Sequence, residues 1–397
     1  MELRSTGGWI TSVGIVGIEH GQIRKLEVKD VYEIDGQITE KVPPPQSMQD
    51  ELDVRDWTLS LANWSPDFPI TAEAVEYFLS LSGDAVTADG VIAIDLEFVR
   101  DMIDVWGAIN VPGESEAITK DNLYDKVVEI HREFTPGSTR KPLFLSNLAN
   151  EILQKTLSAN RSEWPDIAGK VGAGLEEKHI LVFFNDPSIN SVITSSGWGG
   201  QLDPLQNVLF PVEWNWGGNK ANHFTSRITD ISVNVSDETH VQQTVTVTYE
   251  NKSTVNKYPE GDYVNFERIY IPRGAKVTRI EGLSRVAVTQ DSTQNTAVVS
   301  GWITIPVSTK KSFTVSYLLE KSAVEDFPII DSPGNTYEYT INIVKQPGLD
   351  HDPVTFKITF PDTWTPVDVT DFRRELNALI HLDQLEQDTS ITVTWQL

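Results

Sequence analysis

Across residues 88–113, ADGVIAIDLEFVRDMIDVWGAINVPG, the hydrophobic pattern changes period twice. Val91, Ile92, Ala93 and Ile94 form an unbroken apolar run, the pattern of a strand buried on both faces. Asp95 follows, with a side chain suited to cap a helix N-terminus. Phe98, Met102, Val105 and Trp106 then recur at helical spacing, Gly107 supplies the stop, and Ala108–Val111 begins a second extended run. The pattern predicts a strand–helix–strand unit, with Ile92 and Ile94 on a central strand and the Phe98–Trp106 helix packed across it.

The same alternation of periods runs through the first half of the chain. Trp9–Ile18 and Gln22–Val28 are Val/Ile-rich and flank His20-Gly21, which predicts a hairpin or two adjacent strands. Residues 42–45, VPPP, read as a rigid extended loop. Pro69, Thr71 and Glu73–Ser80 predict a helix facing the core with Ala74, Val75, Phe78, Leu79 and Leu81. Asn122–Phe134 and Leu143–Leu157 predict two more amphipathic helices, and Ile180–Phe184 another buried strand.

Beyond about residue 220 the period becomes two. Ile228–Val235, Val241–Tyr249, Asn265–Ile271, Ala297–Ile305, Phe313–Leu319, Tyr337–Val344, Val354–Phe360 and Ser390–Trp395 read as strands separated by turn residues. Short strands at this spacing predict a β-sandwich, all β from about Thr225 onward. The expected architecture is an α/β domain over residues 1–222, a β-sandwich over 223–331, and a second β unit over 332–397. The last is a separate unit or part of the same sandwich; Ser332-Pro333-Gly334 marks the composition shift between the two.

Composition narrows the function. A length of 397 residues fits two or three domains. A net charge of −25 repels nucleic acid, which is set aside as a partner. With no cysteine, disulfides, thiolate metal sites and a cysteine nucleophile are excluded. No apolar run reaches the roughly 18 residues of a membrane span, and no signal-peptide pattern occurs. The chain opens directly on ELRSTGGWITSVGIVGI, which reads as the inside of a domain, so a preceding segment is expected.

Four places carry candidate chemistry. Arg4-Ser5-Thr6-Gly7-Gly8 is a tight turn or an anion contact made by exposed amides beside an arginine. Lys29-Asp30 closes the strand Gln22–Val28, at the strand end where ligands sit in open α/β folds, or is an ordinary ion pair. His131-Arg132 and Arg140-Lys141 put four basic residues within eleven positions around TPGST, a phosphate contact or a solvated loop. Residues 214–222, WNWGGNKAN, suit a polar ligand or, preferably, a packed interdomain joint. Asp350-His351-Asp352 reads as a polar turn rather than a metal site, and no metal ligands are assigned. GxSxG, HExxH, Walker A and GxGxxG in its required context are all absent from the sequence.

Several segments together resemble one family. ELRSTGGWITSVGIVGIEHGQI, DFPITAEA, ADGVIAID, RKPLFLSNLANEIL, HILVFFNDPSIN, GWGG, GGNKAN, YIPRGAKV and KQPG are similar, in order, to the bacterial family known as domain of unknown function 4012. That resemblance implies a membrane anchor ahead of this chain and a location on the outer face of the cytoplasmic membrane or in the cell wall.

The α/β part resembles, more remotely, the LytR–CpsA–Psr cell-wall phosphotransferases. Their Arg-Ser-Asp-Thr aligns with Arg4-Ser5-Thr6-Gly7, which lacks the Asp. Their Pro-Arg-Asp aligns with Val28-Lys29-Asp30, where Lys replaces Arg. Their Arg-Gln pair aligns with Arg140-Lys141. The resemblance implies a LytR–CpsA–Psr-like α/β domain followed by an immunoglobulin-like sandwich, and a cell-wall glycopolymer or polyprenyl-linked precursor as partner. Under an active transferase, Arg4, Lys29, Arg140 and Lys141 would hold the pyrophosphate, and Asp30 would bind Mg²⁺ or act as base. The rivals are a non-catalytic envelope module and an adhesion or scaffolding stalk. Convergence of Arg4, Lys29, Asp30 and Arg140 at the mouth of an apolar pocket is the expectation that separates them.

Overall fold

Local signals around Asp95 are realised as read. In the computed structural model the Asp95 carboxylate accepts the Phe98 N–H at 3.0 Å, and the helix runs Leu96–Trp106 until Gly107 turns the chain at φ +73°. The structure describes residues 2–132, 140–202, 207–291, 294–325, 327–332, 336–367 and 369–396. Within these the chain is mixed α/β with large β-sheets, and it divides into two units. One is Thr6–Gln201; the other joins Met1–Ser5 to Leu202–Leu397.

The first unit contains an antiparallel hairpin, β1 (Ser12–Glu19) and β2 (Gln22–Asp30). Short helices α1 (Val31–Asp35) and α2 (Gln46–Leu52) follow, then α3 (Phe68–Leu81). Next come β3 (Gly90–Ile94), α4 (Leu96–Trp106), α5 (Leu123–Arg132), α6 (Arg140–Leu157) and α7 (Trp164–Glu176). Strand β4 (Ile180–Phe184) and α8 (Pro187–Ser195) complete it. The predicted core face of α3 is buried through Ala74, Val75, Phe78 and Leu79, which pack on Val31, Ile34 and Leu59.

The central-strand reading of Ile92 and Ile94 is corrected. Among the described residues strand β3 pairs only with β4, antiparallel, and Ile92 and Ile94 are 59% and 56% exposed. Burial falls instead on Val91 and Ala93, which pack against Phe68, Ala72, Leu181 and Phe183. Helix α4 turns Val99, Ile103 and Trp106 toward Ile109, Ile118 and Phe144, not across β3. Nor does Ala108–Val111 become a second strand. It makes one bridge, Ile109 to Ile118, and Pro112, which has no N–H, follows at once.

The second unit is β throughout its described residues after the turn at Ala221–Phe224, as the period-two pattern predicts. Its strands are β5 (Val208–Asn215), β6 (Thr225–Asp237), β7 (His240–Asn251), β8 (Tyr263–Pro272), β9 (Lys276–Glu281), β10 (Ser284–Asp291), β11 (Thr296–Ile305) and β12 (Thr309–Glu320). Then follow β13 (Ile329–Ser332), β14 (Thr336–Ile343), β15 (Pro353–Thr359), β16 (Thr365–Val367), β17 (Arg373–Glu375), β18 (Ala378–Gln384) and β19 (Thr389–Gln396).

One sheet has the order β10-β11-β8-β5-β14-β19-β16, with β13 added on β14; the other has β9-β12-β7-β6-β15-β18-β17. Both sheets cross residue 332 through parallel pairs, β5 with β14 and β6 with β15. A single apolar core runs between the sheets, from Ile231, Val245 and Ile269 to Tyr339, Phe356 and Trp395. Pro333 and Gly334 of the composition shift lie outside the described residues.

Candidate functional site

Strand β2 ends on Asp30, which is buried and doubles as the cap of α1: the Tyr32 N–H donates to Asp30 Oδ1 at 2.9 Å. Its other oxygen meets a group 111 residues away. Lys141 Nζ, from the first turn of α6, donates to Asp30 Oδ2 at 2.9 Å and to the Thr11 carbonyl at 3.0 Å. The same ammonium lies 5.9 Å from the centre of the Tyr32 ring. Two candidate residues far apart in sequence therefore meet in a buried ion pair at a strand end.

Their sequence neighbours are matched with other acids. Lys29 bonds Asp84 and lies 3.5 Å from Glu27; the Asp84 contact holds its ammonium above the usual lysine range. Arg140 lies 3.7 Å from Glu129. The TPGST loop lies outside the described residues. A cavity of about 350 Å³ in this unit is lined by Asp104, Val105, Pro165, Asp166, Gly169 and Lys170, and it includes none of the candidate residues.

Arg4 belongs to the second unit. It is 1% exposed and its guanidinium sits 4.7 Å from the centre of the Trp214 ring. It donates to the Asn215 and Leu3 carbonyls and pairs with Glu2 at 3.4 Å. Around it, Gln346 Nε2 donates to the Arg4 carbonyl at 2.9 Å, Lys220 pairs with Glu2 at 3.2 Å, and Arg268 donates to Ser5 Oγ. All these partners are inside the β unit. The WNWGGNKAN loop is likewise knitted within that unit: Asn215 Nδ2 donates to the Asn219 carbonyl at 3.0 Å and to Asn222 Oδ1 at 2.9 Å.

A cluster that the sequence reading missed lies between the two sheets. Glu213 and Glu267 are directly opposed on β5 and β8, and both are buried. Arg227, from the facing sheet, donates to Glu213 Oε2 at 3.0 Å and to Asp352 Oδ2 at 2.9 Å. The Tyr263 hydroxyl donates to Glu213, the Tyr249 hydroxyl to Glu267 Oε2 at 3.0 Å, and Asn265 Nδ2 to the same oxygen. The signal was present: a glutamate within the apolar run VLFPVEW, and another within NFERIYI. A charge in a strand buried on both faces needs a partner across the core.

Burial, and then the neighbouring Glu213 charge, push the Glu267 carboxyl well above the usual carboxylate range. The folded state thus favours its protonated form. That contribution is complete below the unfolded value of about 4.3 and fades as pH rises through the raised folded value. Glu267→Gln, a neutral mimic of the acid, is expected to flatten the fall in melting temperature between acidic and mildly alkaline buffer. Parallel pH profiles for the two proteins would refute this.

Residues 1–130 match a family described as "Protein of unknown function (DUF4012)". No curated protein matches the chain. Among solved structures, an M1 zinc metallopeptidase from Deinococcus radiodurans is 12% identical; the match covers 43% of this chain and 42% of that one at TM-score 0.25. Yeast LTA4 hydrolase is 8% identical, covering 44% and 29% at 0.27. A putative nutrient binding protein from Legionella pneumophila is 8% identical, covering 47% and 70% at 0.27. The chain spans less than half the length of the metallopeptidase and of the LTA4 hydrolase. At such scores the likenesses carry no argument about fold or activity.

Proposed function

We propose that the protein is a non-catalytic module of the bacterial cell envelope that binds a cell-wall glycopolymer or a polyprenyl-linked precursor. In this reading the α/β unit is a diverged LytR–CpsA–Psr-like domain, and the β unit is an immunoglobulin-like sandwich. In this reading the location is extracytoplasmic. Among the described residues no helix is long and apolar enough to cross a membrane.

The state of Asp30 is the observation that supports a non-catalytic reading. A general base needs an oxygen within reach of the proton it removes. Both Asp30 oxygens are bonded internally, one to Lys141 and one to the Tyr32 amide. Lys29 and Arg140 each precede one member of this pair in sequence, and a phosphate bound by either would compete with Asp84 or Glu129 for it. Mg²⁺ would enter only with an active transferase.

Pyrophosphate or a polyprenyl phosphate at millimolar concentration is expected to raise the melting temperature of the α/β unit. Arg140→Ala should abolish that rise, and Arg4→Ala should leave it unchanged. No shift for the unmutated chain would favour the scaffolding stalk, the second reading, which the carboxylate contacts of Lys29, Arg140 and Lys141 already suit.

A further inference from the structure

Glu267 projects from β8 into the seam between the two sheets. The Tyr249 hydroxyl and Asn265 Nδ2 donate to its Oε2, and its Oε1 has no hydrogen-bond partner among the described residues. Strand β11 sets Gly301 opposite it and so brings no charge. The titratable and charged groups facing the Glu213 and Glu267 pair are Arg227 from β6, Tyr249 from β7, Tyr263 from β8 and Asp352 from the loop before β15. Three carboxylates thus surround one guanidinium.

With Glu267 protonated, the cluster sets two negative charges against one positive. Ionisation makes it three against one, and the new charge falls on a fully buried group. A buried carboxylate without a partner is costly, so the cation is drawn toward it. Arg227 Nη2 holds Glu213 and Nη1 holds Asp352. These two acids differ in their access to water: the Asp352 side chain is 16% exposed and that of Glu213 is 3%. Water can take over Asp352 far more cheaply than Glu213. The guanidinium also lies 6.0 Å from the centre of the Tyr249 ring, whose hydroxyl reaches Glu267. Asp352 is therefore the partner that Arg227 gives up.

Asp352 is the far anchor of the loop joining β14 to β15. The near anchor is Gln346, whose Nε2 donates to the Glu213 and Arg4 carbonyls at 2.9 Å and whose Oε1 accepts the Glu213 N–H at 2.8 Å. Between the anchors, Asp350 and His351 are more than half exposed and lie 3.1 Å apart. The Leu385 N–H holds the Asp352 carbonyl at 2.9 Å, so the base of the loop keeps a backbone tie when the side chain lets go. We infer that loop 347–352 is a proton-operated latch, closed on Arg227 while Glu267 is protonated and released when Glu267 ionises. Burial and the Glu213 charge keep Glu267 protonated above the range of a free glutamate, so the latch opens as pH rises and closes as it falls.

The chain has no cysteine, so His351→Cys places a single nitroxide label on the loop tip and takes the neighbouring histidine out of the titration. The mobile component of its electron paramagnetic resonance spectrum should rise about twofold or more between about pH 5 and about pH 9. With Glu267→Gln added, the label should stay immobile throughout; with Asp352→Asn added, it should be mobile throughout. Mobility that ignores pH in the labelled parent would overturn the inference, as would an unchanged pH response in Glu267→Gln. Should Glu267→Gln not fold, Asp352→Asn decides: a pH response equal to that of the labelled parent would overturn the inference.

Discussion

Arg227→Ala is expected to destabilise the β unit by about 3–5 kcal/mol, because it removes the cation from a buried cluster and leaves its acids behind. Arg227 reaches Glu213 on the facing sheet and Asp352 on the loop before β15. Without it, Glu213 keeps the Tyr263 hydroxyl but faces Glu267 with no compensating charge from Arg227. Arg227→Lys supplies a charge but no planar fork, so an intermediate loss is expected. The double variant Arg227→Ala with Glu213→Gln should recover part of the loss, since the stranded carboxylate is gone. Urea denaturation followed by tryptophan fluorescence would measure all three. A loss below about 1 kcal/mol for the alanine variant, within the range of an exposed ion pair, would refute the account.

Elements with a local cause were legible in the sequence. Asp95 and Gly107 bracket α4 because capping and a left-handed turn depend on residues a few positions apart. The eight strands predicted beyond residue 225 all fall within observed strands or overrun them by one residue, since alternation is written into each segment alone. What an element packs against was far less legible. The run Val91–Ile94 is a strand, but an apolar run states hydrophobicity on both faces without naming the cover. Only the Val91 and Ala93 face received one, from α3.

The candidate site divides along the same line. Lys29-Asp30 and Arg140-Lys141 were singled out by type and local position, and Asp30 and Lys141 do meet. The carboxylates matching the other two, Asp84 and Glu129, come from separate segments and carry no motif. Arg4 was grouped with these residues by analogy of motif. Its segment instead groups with residues beyond 201, because a strand of two residues, Leu3 and Arg4, does not announce what it will pack on.

That placement of the N-terminal segment makes the second large prediction. The β unit is discontinuous in sequence, and residues 2–5 are fixed to it by buried polar contacts. Arg4→Ala removes the guanidinium from over Trp214, leaves the Asn215 carbonyl without that donor, and deprives Glu2 of one of its two cations. For a buried, hydrogen-bonded charge this costs about 2–4 kcal/mol. Deleting residues 1–5 should cost more, since Gln346 Nε2 and Arg268 then lose the Arg4 carbonyl and the Ser5 hydroxyl as acceptors. Hydrogen exchange distinguishes this from a role in an anion site. Amides of Val208–Asn215 should lose protection in Arg4→Ala, while those of Gln22–Asp30 and Ile180–Phe184 keep theirs. Loss of protection confined to Gln22–Asp30, together with loss of the pyrophosphate response, would return Arg4 to the phosphate-binding set that its motif suggested.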